Sequence, residues 1–206
     1  MKYQAIVLGG GKGSRADLGY NKILYKMKDG RTVLEKSCDI FLNDDDCQKL
    51  IVVLNEELPF SNEKVIKTQG GINRYDSVLN GLKLVDSEYV LIHDGARPFV
   101  TKDDINRLKT ELASEDGAIL VNKTVDTIKE VRDGYITGTP QREYLYNALT
   151  PQGFKTEVLK EAYANVDFNG VTDDASVLEK YGKKVKIVEG SLNNRKLTSP
   201  EDFLDL

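Results

Sequence analysis

The chain has 206 residues, 40% of them hydrophobic and 30% charged, which is ordinary globular usage and long enough to bury a sizeable core. A net charge of −4 excludes a broad basic field for nucleic acid or anionic membrane, so phosphate binding has to come from basic residues placed locally. No apolar run reaches membrane-spanning length and no signal-peptide pattern opens the chain, which predicts one cytoplasmic domain over 1–206 that engages neither nucleic acid nor membrane.

The first apolar strand, Tyr3 to Leu8, runs straight into Gly9-Gly10-Gly11-Lys12-Gly13-Ser14-Arg15, and Lys22 follows seven residues after Arg15. Consecutive glycines allow several N–H groups to converge on one anion, and Arg15 and Lys22 add full positive charge, so the segment is read as a phosphate-handling loop. A plain glycine-rich turn is the simpler alternative. A P-loop is excluded because Gly13, not Ser or Thr, follows Lys12. Gly11-x-Gly13-x-x-Ala16 formally fits the dinucleotide fingerprint, but its nearest acidic partner, Glu35, falls in a predicted helix rather than at a strand end, which leaves a dehydrogenase as a rival reading.

Helical spacing over Val33 to Leu42 precedes a strand at Lys49 to Leu54. Gly70-Gly71-Ile72-Asn73-Arg74 then opens a helix over Arg74 to Leu84 with Ser77 in its first turn, a second place where amides and a guanidinium could hold a nucleotide. The strand Tyr89 to Ile92 ends in His93-Asp94-Gly95-Ala96-Arg97-Pro98, which offers Asp94 as a hard oxygen ligand for Mg²⁺ and Arg97 for phosphate. A helix over Asp103 to Leu112 and a strand over Gly117 to Val121 complete the alternation, which implies βαβ units and a mostly parallel sheet. Ligands of such sheets bind beyond the carboxyl ends of the strands, so the loops after Leu8 and Ile92 are expected to share one site.

Between Thr124 and Gly138 the alternation breaks: Arg132-Asp133-Gly134 between β-branched runs signals a hairpin. An inserted hairpin projects as an arm whose apolar side needs cover, most simply from a second copy of the chain, so a homodimer is expected. Helical patterns resume at Glu143 to Ala148, Thr156 to Ala164 and Asp174 to Tyr181, a strand follows at Val185 to Val188, and Ser199-Pro200-Glu201-Asp202 opens a last short helix. Cys38 and Cys47 lack metal or redox spacing, and His93, the only histidine, reads as structural, so the chemistry is expected to need no classical general base.

In this order the motifs G-G-G-K-G-S-R with Lys22, G-G-x-x-R-x-x-S, H-D-G-A-R-P-F, L-T-P-Q-x-F, T-D-D-A-S and R-K-L-T-S-P-E-D resemble, from end to end, the 2-C-methyl-D-erythritol 4-phosphate cytidylyltransferase family of the non-mevalonate isoprenoid pathway. A sister family that makes CDP-ribitol from ribitol 5-phosphate for teichoic acid shares most of them. The resemblance implies a Rossmann-like α/β fold of the nucleotide-diphospho-sugar transferase type, a mostly parallel sheet with helices on both faces and a protruding hairpin arm at about 124–140. It further implies a homodimer and an Mg²⁺-dependent reaction of CTP with a sugar-alcohol phosphate that releases pyrophosphate.

Carried over residue by residue, the resemblance assigns Arg15, Lys22 and Lys196 to the reacting phosphates and Gly9, Gly10, Gly11, Gly13, Gly71, Arg74, Ser77 and Ala96 to the nucleotide. It assigns Asp94 to the metal and Arg97, Thr127, Arg142, Thr150, Thr172 and Asp173 to the alcohol phosphate, with Thr127 and Arg142 reaching the partner's site through the arm. Two features depart from the family's habit: Leu8-Gly9-Gly10 at the loop start and Asn21-Lys22-Ile23 in place of a Pro-Lys-Gln segment. The segments around Asp126 and Arg142 look like the ribitol branch, whereas Gly95-Ala96 and Thr172 to Ser176 look like the methylerythritol branch. The expected acceptor is methylerythritol phosphate, with ribitol 5-phosphate as the alternative. A non-catalytic nucleotide-binding protein on the same fold would be expected to have lost Arg15, Lys22 or Asp94, and all three are present.

Overall fold

The computed structural model describes residues 1–11, 19–204 and 206. Its main sheet has seven strands in the order β3-β2-β1-β4-β8-β5-β9. They are β1 (Tyr3–Leu8), β2 (Cys47–Val53), β3 (Val65–Thr68), β4 (Tyr89–Asp94), β5 (Gly117–Lys123), β8 (Tyr146–Lys155) and β9 (Lys186–Glu189), with β6 (Glu130–Arg132) and β7 (Tyr135–Gly138) forming a separate two-stranded ribbon. Every pairing in the main sheet is parallel except those of β8, which runs antiparallel between β4 and β5.

Burial explains why the central strands read as unbroken apolar runs: β1, β2 and β4 are covered on both faces. Leu34, Cys38 and Phe41 of α1 (Val33–Leu42) and Ile105, Leu108 and Leu112 of α3 (Lys102–Leu112) pack on the face that carries Tyr3, Ala5, Val7 and Leu91. Val78 and Leu82 of α2 (Arg74–Leu82), with α4 (Thr156–Asn165) and α5 (Asp174–Lys180), cover Ile6, Ile51, Val53 and Ile92 on the other. Each fully buried Leu or Ile contributes about 1.5–3 kcal/mol by leaving water. Capping boxes at Thr32 with Glu35 and Thr101 with Asp104 start α1 and α3, each worth about 1 kcal/mol. Glu35, the acidic partner a dinucleotide site would have needed, is thereby committed to a helix cap.

The chain leaves β1 through α1 toward β2 on one side and returns through α2 to β4 on the other, so strand order reverses between β1 and β4. Beyond their carboxyl ends lies the crevice where open α/β sheets bind ligands.

The expected hairpin is present as β6 and β7, with Asp133 at φ +51° and Gly134 at φ +83°, the left-handed pair that a two-residue type I′ turn demands. It belongs to a longer excursion, residues 124–145, that leaves the sheet after Lys123 and rejoins it at Tyr146, and these two residues pair with each other. Tyr135 and Ile136 on the arm are 77% and 65% exposed.

One expectation fails: the helix read at Glu143 to Ala148 is a single 3-10 turn, Arg142–Tyr144, followed by β8. Pro151 argues against a central strand on sequence grounds, but it falls at a break in register, between Ile119 paired with Gln152 and Val121 paired with Ala148, where no ladder donor is required. The edge strand β3 was also not anticipated, because Val-Ile-Lys-Thr is short and half-exposed.

Candidate active site

At the carboxyl end of β1, Gly9 N–H donates to Val53 O at 2.8 Å and extends the pairing with β2, and a Cβ on Gly10 would lie 3.3 Å from Gly70 Cα. The two glycine segments therefore meet backbone to backbone, an approach that larger residues would wedge apart. Gly71 N–H donates to Ser77 Oγ at 3.0 Å, so the serine in the first turn of α2 holds the second glycine segment in place. Gly9, Gly10, Gly11, Gly71 and Ser77 form one side of a cleft of about 370 Å³, and Lys22, Arg74, Asp94, Ala96 and Lys196 complete it. Sequence reasoning placed all ten of these residues in a site, and they come together here. Gly13 and Arg15 lie outside the described residues.

Asp94, at the end of β4, is the only carboxylate lining this cleft among the described residues. Its Oδ2 accepts from Lys196 Nζ at 2.8 Å and faces Arg97 Nε at 3.5 Å, while its Oδ1 faces Arg74 Nε at 3.8 Å. Burial alone would raise its pKa, yet the charges of Lys196, Arg74 and Arg97 prevail and hold the carboxyl well below the usual carboxylate range. Arg74 donates through its other arm to Asp174 Oδ2 at 2.6 Å, and Tyr163 Oη donates to Asp174 Oδ1 at the same distance. Asp174 is fully buried, with its own N–H and that of Ala175 donating to Gln152 Oε1 at 3.1 Å. Burial works against the charge on Arg74, but Asp174 and Asp94 outweigh it and push its pKa up.

His93 is fully buried behind Asp94. Its Nε2 lies 3.0 Å from the Arg97 carbonyl and so donates, which leaves Nδ1 to accept from Thr150 Oγ1 at 3.0 Å. Burial drives its pKa down to about 4, so the ring is neutral near pH 7 and has no proton to exchange with the cleft. Thr150 Oγ1 also accepts from the Asp94 N–H at 3.0 Å. The Thr150 hydroxyl is therefore engaged in fixing the end of β4. Arg97 is held from behind by Asn194 O at 2.8 Å.

Asp173 caps α5, accepting from Ser176 N–H and from Gln152 Nε2, and Thr172 beside it is exposed. Thr127 is exposed on the arm, and Arg142 donates to Val125 O and lines a separate groove at the base of the arm with Lys123, Thr124 and Tyr146. Neither residue lines the cleft of its own chain. Sequence reasoning missed Asn21, Gln152 and Asp174 as groups that hold the site. Gln152 and Asp174 stood inside quoted motifs, L-T-P-Q-x-F and T-D-D-A-S, and Asn21 stood in the segment that departs from the family's habit, but none was given a role.

No group of three or more His, Cys, Asp or Glu side chains among the described residues could cage a metal ion. A single carboxylate lining the cleft, Asp94, does fit a cation that arrives with its ligand, since Mg²⁺ commonly takes one or two carboxylates and completes its shell with phosphate oxygens and water. Cys38 and Cys47 are unpaired, and burial pushes both thiols up, Cys47 to about 11.

A doubly wound sheet with two glycine segments and a cationic cluster around one aspartate at the switch point is the arrangement of a nucleotide-phosphate site, and the family match makes the class a nucleotidyltransferase. A sequence profile of the family IspD, 2-C-methyl-D-erythritol 4-phosphate cytidylyltransferase, matches residues 3–205. The 2-C-methyl-D-erythritol 4-phosphate cytidylyltransferase of Bacillus licheniformis is 38% identical over 99% of this chain and 94% of its own length, and that of Geobacter metallireducens is 37% identical over 97% and 94%. The crystal structure of the Francisella tularensis enzyme superposes with a TM-score of 0.87 at 29% identity, covering 98% of this chain and 97% of that one. The chain belongs to the 2-C-methyl-D-erythritol 4-phosphate cytidylyltransferase family and is a cytidylyltransferase.

Proposed function

We propose that the chain transfers the cytidylyl group of CTP to 2-C-methyl-D-erythritol 4-phosphate in isoprenoid precursor synthesis and releases pyrophosphate. The observation that carries this reading is the charge arrangement of the cleft: Lys22, Arg74 and Lys196 line it in a protein of net charge −4, and its one carboxylate among the described residues, Asp94, is met by Arg74 and Lys196. Such a site draws in a polyanion, and family membership says which one. The ribitol branch gains no support from the relatives compared, which carry the methylerythritol name.

The attacking group is a phosphate monoester whose second pKa lies near about 6, so its oxygen is mostly deprotonated at neutral pH without help. That suits a site whose histidine is locked and neutral. The work left to the protein is to align two polyanions and stabilise charge on the α-phosphoryl group and on the departing pyrophosphate. The glycine segments offer amides to the triphosphate, Lys22, Lys196 and Arg15 supply charge at the reacting phosphates, and Ser77 and Gly71 shape the wall for the nucleoside. Asp94 would hold Mg²⁺ brought in with CTP. When bound, the ion supplies further neutralisation of the phosphates.

The arm, through Thr127 and Arg142, completes the alcohol-phosphate site of a partner copy in a homodimer, with Arg97, Thr150, Thr172 and Asp173 behind or beside the cleft on the other side. Two unpaired buried cysteines suit a cytoplasmic enzyme, and no described helix is long and apolar enough to cross a membrane. The deciding assay is pyrophosphate release with CTP and Mg²⁺, offering methylerythritol 4-phosphate and ribitol 5-phosphate in parallel. Release with the former alone is expected. Release with ribitol 5-phosphate alone would overturn the acceptor, and release with neither despite CTP binding would overturn the reading as a whole.

A further inference from the structure

Lys22 opens a single 3-10 turn, Lys22–Leu24, and a lone turn is too short to fix its own first residue. Asn21, which is 7% exposed, ties it to its surroundings, beside the packing of Ile23 in the core. Asn21 Nδ2 donates to the Gly9 carbonyl at 2.8 Å and to Glu56 Oε1 at 3.1 Å. Its Oδ1 accepts from Ile23 N–H at 3.4 Å as the N-cap of the turn. One carboxamide thus joins the root of the first glycine segment, the loop that follows β2, and the turn that presents Lys22 to the cleft. The position demands a short side chain that both donates and accepts. Aspartate would keep the cap but turn an acceptor toward the Gly9 carbonyl and Glu56, and alanine would do neither.

We propose that Asn21 is a positioning residue for Lys22, setting the distance between its ammonium group and phosphates held on the glycine segment. The inference rests on the reading of Lys22 as a phosphate-stabilising group. Asn21 lines the cleft, but its carboxamide is committed to Gly9, Glu56 and Ile23. It acts through the backbone of its own turn, so its loss belongs in the chemical step and not in nucleotide affinity, and a misplacement of about 1 Å is enough to cost up to about a hundredfold.

The test is a double-mutant cycle of Asn21→Ala and Lys22→Ala, with single-turnover rates at saturating CTP and acceptor and CTP affinity from calorimetry. Asn21→Ala is expected to slow turnover by about tenfold to a hundredfold with the Kd for CTP changed less than about threefold, and to slow the Lys22→Ala protein less than about twofold further. Asn21→Asp, which retains the cap, is expected to be slowed as much as Asn21→Ala, and it supplies the comparison if the alanine variant does not fold. A parental rate in Asn21→Asp, or an equally large Asn21→Ala effect on the Lys22→Ala background, would overturn the proposal. Parental Asn21→Ala beside a crippled Lys22→Ala sinks the positioning role alone, whereas near-parental Lys22→Ala removes the reading of Lys22 beneath it.

Discussion

Asp94 stays ionised at the cleft floor because three cations outweigh the cost of taking it out of water, and two of them, Arg74 and Lys196, also line the cleft. Removing a preorganised donor from such a place costs catalysis more than folding. Lys22→Ala and Arg15→Ala are each expected to cut turnover by at least about a hundredfold with an unchanged circular dichroism spectrum. Asp174 has the opposite character: it is fully buried and anchors both Arg74 and Tyr163, so Asp174→Ala leaves a guanidinium and a phenol without their partner. A loss of about 3 kcal/mol in urea unfolding is expected. His93 ties stability to pH. Its pKa is depressed to about 4 in the fold, so the unfolded chain binds the proton more tightly. The stability it contributes is complete above about 6.5 and drains away as pH falls toward 4, by up to about 3 kcal/mol. Urea midpoints measured across that window should decline, and His93→Gln should flatten the decline.

At the scale of elements, the parallel βαβ half was legible because buried strands are continuous apolar runs and the helices keep a 3.6-residue period, and the last short helical turn was legible from its cap at Ser199. The arm was legible through the chemistry of one turn, Asp133-Gly134. β8 was not, since its first residues carry a helical pattern that continues from Glu143, its proline argues against a strand, and only pairing with β4 and β5, distant in sequence, makes it one. The cleft was legible at the glycines and charged motifs. The supporting roles of Asn21, Gln152 and Asp174 were not legible even where the residues stood in a quoted motif, because a supporting hydrogen bond leaves no periodic trace. If the arm serves the acceptor, Arg142→Ala should raise the KM for the alcohol phosphate more than that for CTP, and the reverse pattern in steady-state kinetics would detach the arm from the site.

For the whole molecule, the exposed apolar side chains of the arm make the case for a second copy. Val131, Tyr135 and Ile136 are more than half exposed on a ribbon too small to be stable by itself. Ile136→Asp is expected to shift the sedimentation profile from dimer toward monomer, and a monomeric parent chain would refute the arrangement. The point at which the arm leaves the sheet has a wider meaning. Residues 124–145 begin and end at one antiparallel pair, Lys123 with Tyr146, so the excursion is a loop closed at its neck by strands that stay in register whatever lies beyond them. Doubling the length of such a loop costs only about 0.6 kcal/mol. On the proposed reading, the arm's share of acceptor recognition can therefore change in length and sequence while the nucleotide half is inherited intact.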